Sequence, residues 1–157
     1  MRIAVFGNME MTHEEGAEVK QFDIHESAPN PKLDGLFDRI VLSNCIPELT
    51  KNQVMPFLEM IHSILIPKGE VWVHVPLAEY ACKQIFTNKA TLLTFYMLYG
   101  NDDQPFRACY SLLNIRLIME RAGFIVRSAT EGMLELKTST GEKYNLPIHS
   151  LVATKLE

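Results

Sequence analysis

Residues 37–76 constrain this chain more than any other stretch, because they read as strand, helix, strand in immediate succession. Phe37–Ser43 (FDRIVLS) is a short apolar run of strand length. Residues 53–66 then place Val54, Phe57, Leu58, Ile61, Ile64 and Leu65 at helical spacing. Pro67-Lys68-Gly69 is expected to end that helix. Residues 71–75 (VWVHV) return to a β-branched strand, closed by Pro76. Two strands joined by a crossover helix run parallel, with a right-handed connection.

The rest of the chain extends this unit. Residues 2–6 (RIAVF) predict a short buried strand stopped by Gly7-Asn8. Residues 18–24 (EVKQFDI) predict a second, with Asp23 at its end. The polar, acidic stretch 9–16 has no helical stripe, and Pro29 and Pro31 mark a turn-rich loop. Residues 78–99 predict a long apolar helix or a helix pair, and 100–105 a loop. Residues 112–122 predict a helix striped by Leu113, Leu117, Ile118 and Ala122, ending at Gly123. A strand is expected to begin at 125–127, with two more at 133–137 and 150–155 and the Thr140-Gly141 turn between these two. Closing strands without an intervening helix imply an antiparallel addition at one edge. The fold class expected is therefore α/β: a Rossmann-like, mostly parallel sheet flanked by helices, with antiparallel C-terminal strands.

With 157 residues and 47% of them apolar, the chain has material for one core, so a single domain over 1–157 is expected. A net charge of −4 and the lack of any Lys/Arg run give no signal for tight, non-specific nucleic-acid binding. Cys45, Cys82 and Cys109 form no CxxC pair, so no metal site is expected and the thiols read as reduced. No run approaches the ~18 apolar residues of a membrane span, and a cytoplasmic location is expected.

Ligands of doubly wound sheets bind outside the carboxyl ends of the strands. Those ends fall at Phe6-Gly7-Asn8, Asp23-Ile24-His25, Ser43-Asn44 and Val75-Pro76. Asp23 is either a ligand carboxylate or a loop cap. Ser43 and Asn44 either meet a ligand or cap the next helix. Glu48 reads as a solvated loop carboxylate, His74 as a packed core residue, and His25 has no partner in sequence. Phe95, Tyr96, Tyr99 and Phe106 either stack on a planar substrate or, as expected, pack between helices.

The segment FDRIVLSNCIPEL, a helix and LIPKGEVWVHVP together resemble the middle of class I S-adenosylmethionine-dependent methyltransferases. Residues 98–124, from Leu-Tyr-Gly to Ala122-Gly123-Phe124, are similar to a region of small methyltransferases of bacteria and phages. SLVATK at 150–155 looks like the family's last strand. The resemblance covers roughly the last three quarters of the chain. It implies a reduced class I methyltransferase fold, S-adenosylmethionine as cofactor and methyl transfer to an unknown acceptor. It places Phe6, Gly7, Asn8, Asp23, Ser43 and Asn44 at the cofactor, with Asp23 on the ribose hydroxyls. It places Asp102, Asp103, Arg107 and Tyr110 on the acceptor side, and it names no catalytic residue, since such enzymes need not carry a catalytic dyad.

Three departures stand beside the resemblance. Only Gly7 remains where the family's first loop carries several glycines. Residues 24–36 replace a helix and the strand that walls the adenine. No histidine lies near Arg107 or Ala108. They imply an alternative: a methyltransferase-fold protein without activity, serving as an interaction or structural subunit. The eight methionines and the apolar stretch 92–99 would then offer a surface to a protein partner or a second copy.

Overall fold

The apolar runs at the start of the chain and at 37–43 lie side by side at the centre of one sheet. In a computed structural model, which describes residues 1–7, 16–25, 36–137, 141 and 143–156, β1 (Arg2–Gly7) pairs parallel with β3 (Phe37–Ser43). On its other side β1 pairs parallel with β2 (Glu18–Phe22). Helix α1 (Lys51–Ile64) carries the chain from β3 to β4 (Leu65–Pro76), which lies parallel to β3. Helices α2 (Ala78–Phe86), α3 (Leu92–Tyr99) and α4 (Leu112–Arg121) follow. The long strands β5 (Phe124–Lys137) and β6 (Lys143–Lys155) close the sheet, β6 antiparallel to β4 and β5 antiparallel to β6. The order β2-β1-β3-β4-β6-β5 is the mostly parallel sheet with antiparallel closing strands that the sequence predicts.

Strand alternation sorts side chains to two faces. Ile40, Leu42, Val71, Val73, Val75 and Leu151 face α1 and α4, where Val54, Leu58, Ile61, Ile115 and Met119 meet them in the main core. Ile3, Val5 and Val41 form a second buried group against Val19 and Trp72 on the opposite face. There the Arg39 guanidinium lies 4.2 Å from the Trp72 ring centre, and the Trp72 indole N–H donates to Glu70 at 3.1 Å. A third group joins α2 and α3 to the β5–β6 hairpin through Leu77, Ala81, Met97, Leu134, Leu146 and Ile148.

Polar ties fix the helices. The Thr50 amide donates to Gln53 Oε1 at 2.9 Å and caps α1. Glu79 on α2 accepts from the Leu112 N–H at 2.9 Å and lies 2.7 Å from His149 Nε2 on β6. Burial alone would raise the Glu79 carboxyl pKa, but these bonds outweigh it and hold it below the usual carboxylate range.

Two expectations change, and a third is decided between its alternatives. Pro67-Lys68-Gly69 does not punctuate a helix end; it lies inside β4. Ile66, preceding proline, is biased away from helical backbone. Lys68 then takes φ +63°, and the register with β3 slips between Phe37 and Arg39. Residues 124–137 form one strand, not two short ones, because β6 pairs with them along their whole length from Lys155 to Lys143. Residues 78–99 resolve into the helix pair, with α2 and α3 separated by Asn88 at φ +56°. The stretch 9–15, the Pro29–Pro31 turn and Thr140 lie outside the described residues. Among the described residues no helix is long and apolar enough to cross a membrane.

Leu58 is fully buried and Phe86 is 91% exposed, so the two test this packing in opposite directions. Leu58→Ala is expected to cost about 2–5 kcal/mol in urea unfolding. Phe86→Ala should change stability by less than about 0.5 kcal/mol.

Candidate functional site

The parallel strands β2, β1 and β3 end at one edge of the sheet, and a cleft of about 330 Å³ opens there. That lies at the lower end of the range for small-molecule sites. One side is formed by Gly7, Gln21 and the segment Phe22-Asp23-Ile24-His25. The other is formed by Glu48, Asp103 and Gln104.

Gly7 sits where β1 turns away from the sheet at φ +100°. A Cβ on it would fall 2.0 Å from the Ser43 carbonyl oxygen, so only glycine allows this approach. Its own carbonyl accepts from Gln21 Nε2 at 3.1 Å. Asp23 follows the last residue of β2, and its Oδ1 accepts the His25 main-chain N–H at 2.8 Å. That local turn fixes the carboxylate at the strand tip.

The opposite wall is built on Glu48, the last residue of a short 3-10 turn, Ile46–Glu48. Glu48 is 8% exposed, and its oxygens are both engaged. Oε1 accepts from Gln104 Nε2 at 2.6 Å, and Oε2 lies 3.0 Å from His25 Nε2. Gln104 Nε2 also donates to the Asn44 carbonyl at 3.0 Å. The Tyr96 hydroxyl donates to Gln104 Oε1 at 3.1 Å and accepts from Asn44 Nδ2 at 3.4 Å. Burial pushes the Tyr96 phenol pKa up, the Asn44 bond lowers it, and the Glu48 charge raises it further. Burial, then the same charge, pushes the Cys45 thiol up. This network joins the tip of β3, α3 and the loop after α3.

The sequence-derived residues divide. Gly7, Asp23 and Asp103 line the cleft together. Ser43 and Asn44 lie buried at the tip of β3, with Ser43 Oγ and Asn44 Oδ1 lacking a protein partner. Asn44 takes φ +52°, a conformation asparagine tolerates. Phe6 departs from its expected role. Its ring belongs to the core, stacked on Phe22 at 5.1 Å and edge-on to Phe57 at 5.5 Å, because strand alternation turns it to the same side as Ala4. Tyr110 also departs: it is buried in the main core, where burial first and Cys109 second push its phenol pKa up. Asp102 and Arg107 are exposed and do not line the cleft; the Arg107 main-chain N–H donates to the Pro47 carbonyl at 2.7 Å. Asn8 lies outside the described residues.

Glu48 is a buried, bonded carboxylate rather than a solvated one, and His25 has it as a partner. Gln104 and Gln21 carry no linear signal; their roles come from contacts across the fold. Tyr96 joins the network, and Phe95 and Tyr99 are exposed, so the four aromatics make no single stacking platform. His74 is buried in its strand, and burial lowers its pKa. Among the described residues no three His, Cys, Asp or Glu side chains are grouped to hold a metal.

The same architecture occurs in solved structures. A SAM-dependent methyltransferase from Archaeoglobus fulgidus is 14% identical, with a TM-score of 0.63, over 98% of this chain and 86% of that one. One from Methanosarcina mazei is 15% identical, with a TM-score of 0.55, over 89% and 68%. The 1,6-didemethyltoxoflavin-N1-methyltransferase of Burkholderia thailandensis, solved with its substrate and S-adenosylhomocysteine, is 12% identical, with a TM-score of 0.53 and 90% of this chain covered. The chain has the fold of S-adenosylmethionine-dependent methyltransferases. It spans about half the length, 52%, of the Burkholderia thailandensis enzyme. No protein-family model matches the sequence, and no curated protein matches it.

The cysteines report on the β3 tip. Cys45 is buried beside Asn44, and Cys82 and Cys109 are exposed. In the native protein a chromogenic disulfide reagent should titrate Cys82 and Cys109 promptly and Cys45 only on unfolding. Equal rates for all three would contradict the packing described.

Proposed function

We propose that the chain binds S-adenosylmethionine in the strand-end cleft and transfers its methyl group to a small-molecule acceptor. The observation that carries this reading is the pairing of Asp23 with Gly7 at the carboxyl ends of adjacent parallel strands, in a cleft open to a ligand. The Asp23 carboxylate suits two vicinal ribose hydroxyls, since it can accept both protons. Gly7 offers bare main chain, and the Phe6 ring lies in the core rather than over the turn. Asp103 and Gln104 come from the loop that would face the acceptor. The methyltransferase fold and the S-adenosylhomocysteine bound to the Burkholderia thailandensis enzyme support the choice of cofactor.

When bound, the cofactor supplies an electrophilic methyl group on a sulfonium. The chain's part is to hold and align the reactants and keep water out, which alone accelerates such a displacement strongly. Asp23 anchors the sugar, and Glu48, fixed by Gln104 and His25, shapes the wall opposite. No proton shuttle is needed for an acceptor that is already nucleophilic.

Calorimetric titration with S-adenosylmethionine tests the reading. Micromolar binding is expected, weakened about tenfold or more in Asp23→Ala, as for loss of hydrogen bonds to a charged group worth about 1.5–3 kcal/mol. No binding at millimolar ligand would contradict it and leave the alternative, a structural or interaction subunit built on the same scaffold.

A further inference from the structure

We propose that the outer face of α3 pairs with the same face of a second copy of the chain, antiparallel about a two-fold axis. Every residue of α3 except Thr94 carries a large, mainly apolar side chain. A surface helix ordinarily turns its polar residues to water. Here Thr94 is 2% exposed, and its hydroxyl accepts the Thr91 main-chain N–H at 3.0 Å. The outward positions fall instead to Leu92, Phe95 and Tyr99, which are 90%, 49% and 65% exposed. Their spacing sets them in one stripe along the helix. Met97 is fully buried in the group that joins α3 to the β5–β6 hairpin. The helix cannot roll the stripe inward without bringing Met97 out.

The charges that flank the stripe select its occupant. Residues 90–101 carry none; Lys89 stands before them, Asp102 and Asp103 follow, and all three are exposed. Lys89 and Asp102 are placed almost symmetrically about Phe95. A two-fold contact uses one patch on both subunits, so each residue pair occurs twice. Laid antiparallel on itself about Phe95, the segment sets Leu92 against the partner's Tyr99 and Lys89 against the partner's Asp102. A parallel arrangement would oppose like charges at both ends. An anionic lipid surface would attract Lys89 and repel the two carboxylates at the other end. The face is therefore complementary to itself. A contact of this size belongs to the small, weak class, with a dissociation constant on the order of 10–100 μM. The pairing is independent of what the strand-end cleft binds.

Sedimentation velocity on the full chain, from about 1 to 300 μM, tests the proposal. A concentration-dependent shift from monomer to dimer is expected. Leu92→Ser should weaken the association about tenfold or more. Its urea midpoint at about 1 μM, where the chain is monomeric, should stay unchanged, because the side chain lies in water there. Lys89→Glu and Asp102→Lys should each weaken the dimer about threefold or more at low salt. The double variant, which exchanges the two charges, should recover most of the loss.

A chain that stays monomeric at about 300 μM would overturn the proposal. So would a dimer indifferent to Leu92→Ser, which would place the contact elsewhere. A double variant no tighter than either single one would rule out the antiparallel pairing. Binding of the monomer to vesicles of phosphatidylglycerol and phosphatidylcholine, lost in Leu92→Ser, would overturn it too and assign the face to lipid.

Discussion

At Gly7 the main chain leaves β1 so close to the end of β3 that a single Cβ would collide with the Ser43 carbonyl. That approach fixes the base of the cleft. Below it, β1 and β3 pair in register from Ile3 to Gly7 and carry buried side chains on both faces. Above it, Gly7 itself lines the cleft. Core and cleft therefore depend on the same contact. A substitution that strains it disturbs packing on one side and ligand space on the other.

The second constraint is the buried carboxylate of Glu48. An uncompensated buried charge is costly, so its oxygens need partners. Here Gln104 and His25 satisfy both oxygens, and Tyr96 and Asn44 hold Gln104 in turn. The arrangement ties three distant segments together and gives the cleft its negative wall. A chain needing only a stable β3 tip could have placed an apolar residue there.

Much of the fold was legible because burial follows simple periods. Phe37–Ser43, α1 and the VWVHV strand alternate or recur as their geometry demands, and the parallel order follows from the crossover. The β5–β6 hairpin was less legible: Gly132 and the polar residues around it break the local pattern, and continuity comes from pairing with β6. The bulge at Lys68 was hidden because Pro-Lys-Gly reads equally as a helix stop. Among the residues lining the cleft, Gly7 and Asp23 could be found from strand ends, and Asp103 from the family resemblance. Phe6 was read as a strand end and Tyr110 from the resemblance, although the alternation with Ala4 already points Phe6 into the core. His25 was placed at a strand end but its bond to Glu48 was not legible, nor was the place of Glu48 and Gln104, since these bonds span 23 and 56 residues and leave no local trace.

Chemical-shift mapping of the ¹⁵N-labelled chain with S-adenosylmethionine tests the central claim most directly, because it locates the ligand without needing an acceptor. Perturbations are expected to concentrate at Gly7, Asp23, His25, Glu48 and Gln104, with α2 and the far end of the β5–β6 hairpin unmoved. Perturbations confined to the exposed apolar surface of α2 and α3, or none at saturating ligand, would contradict it.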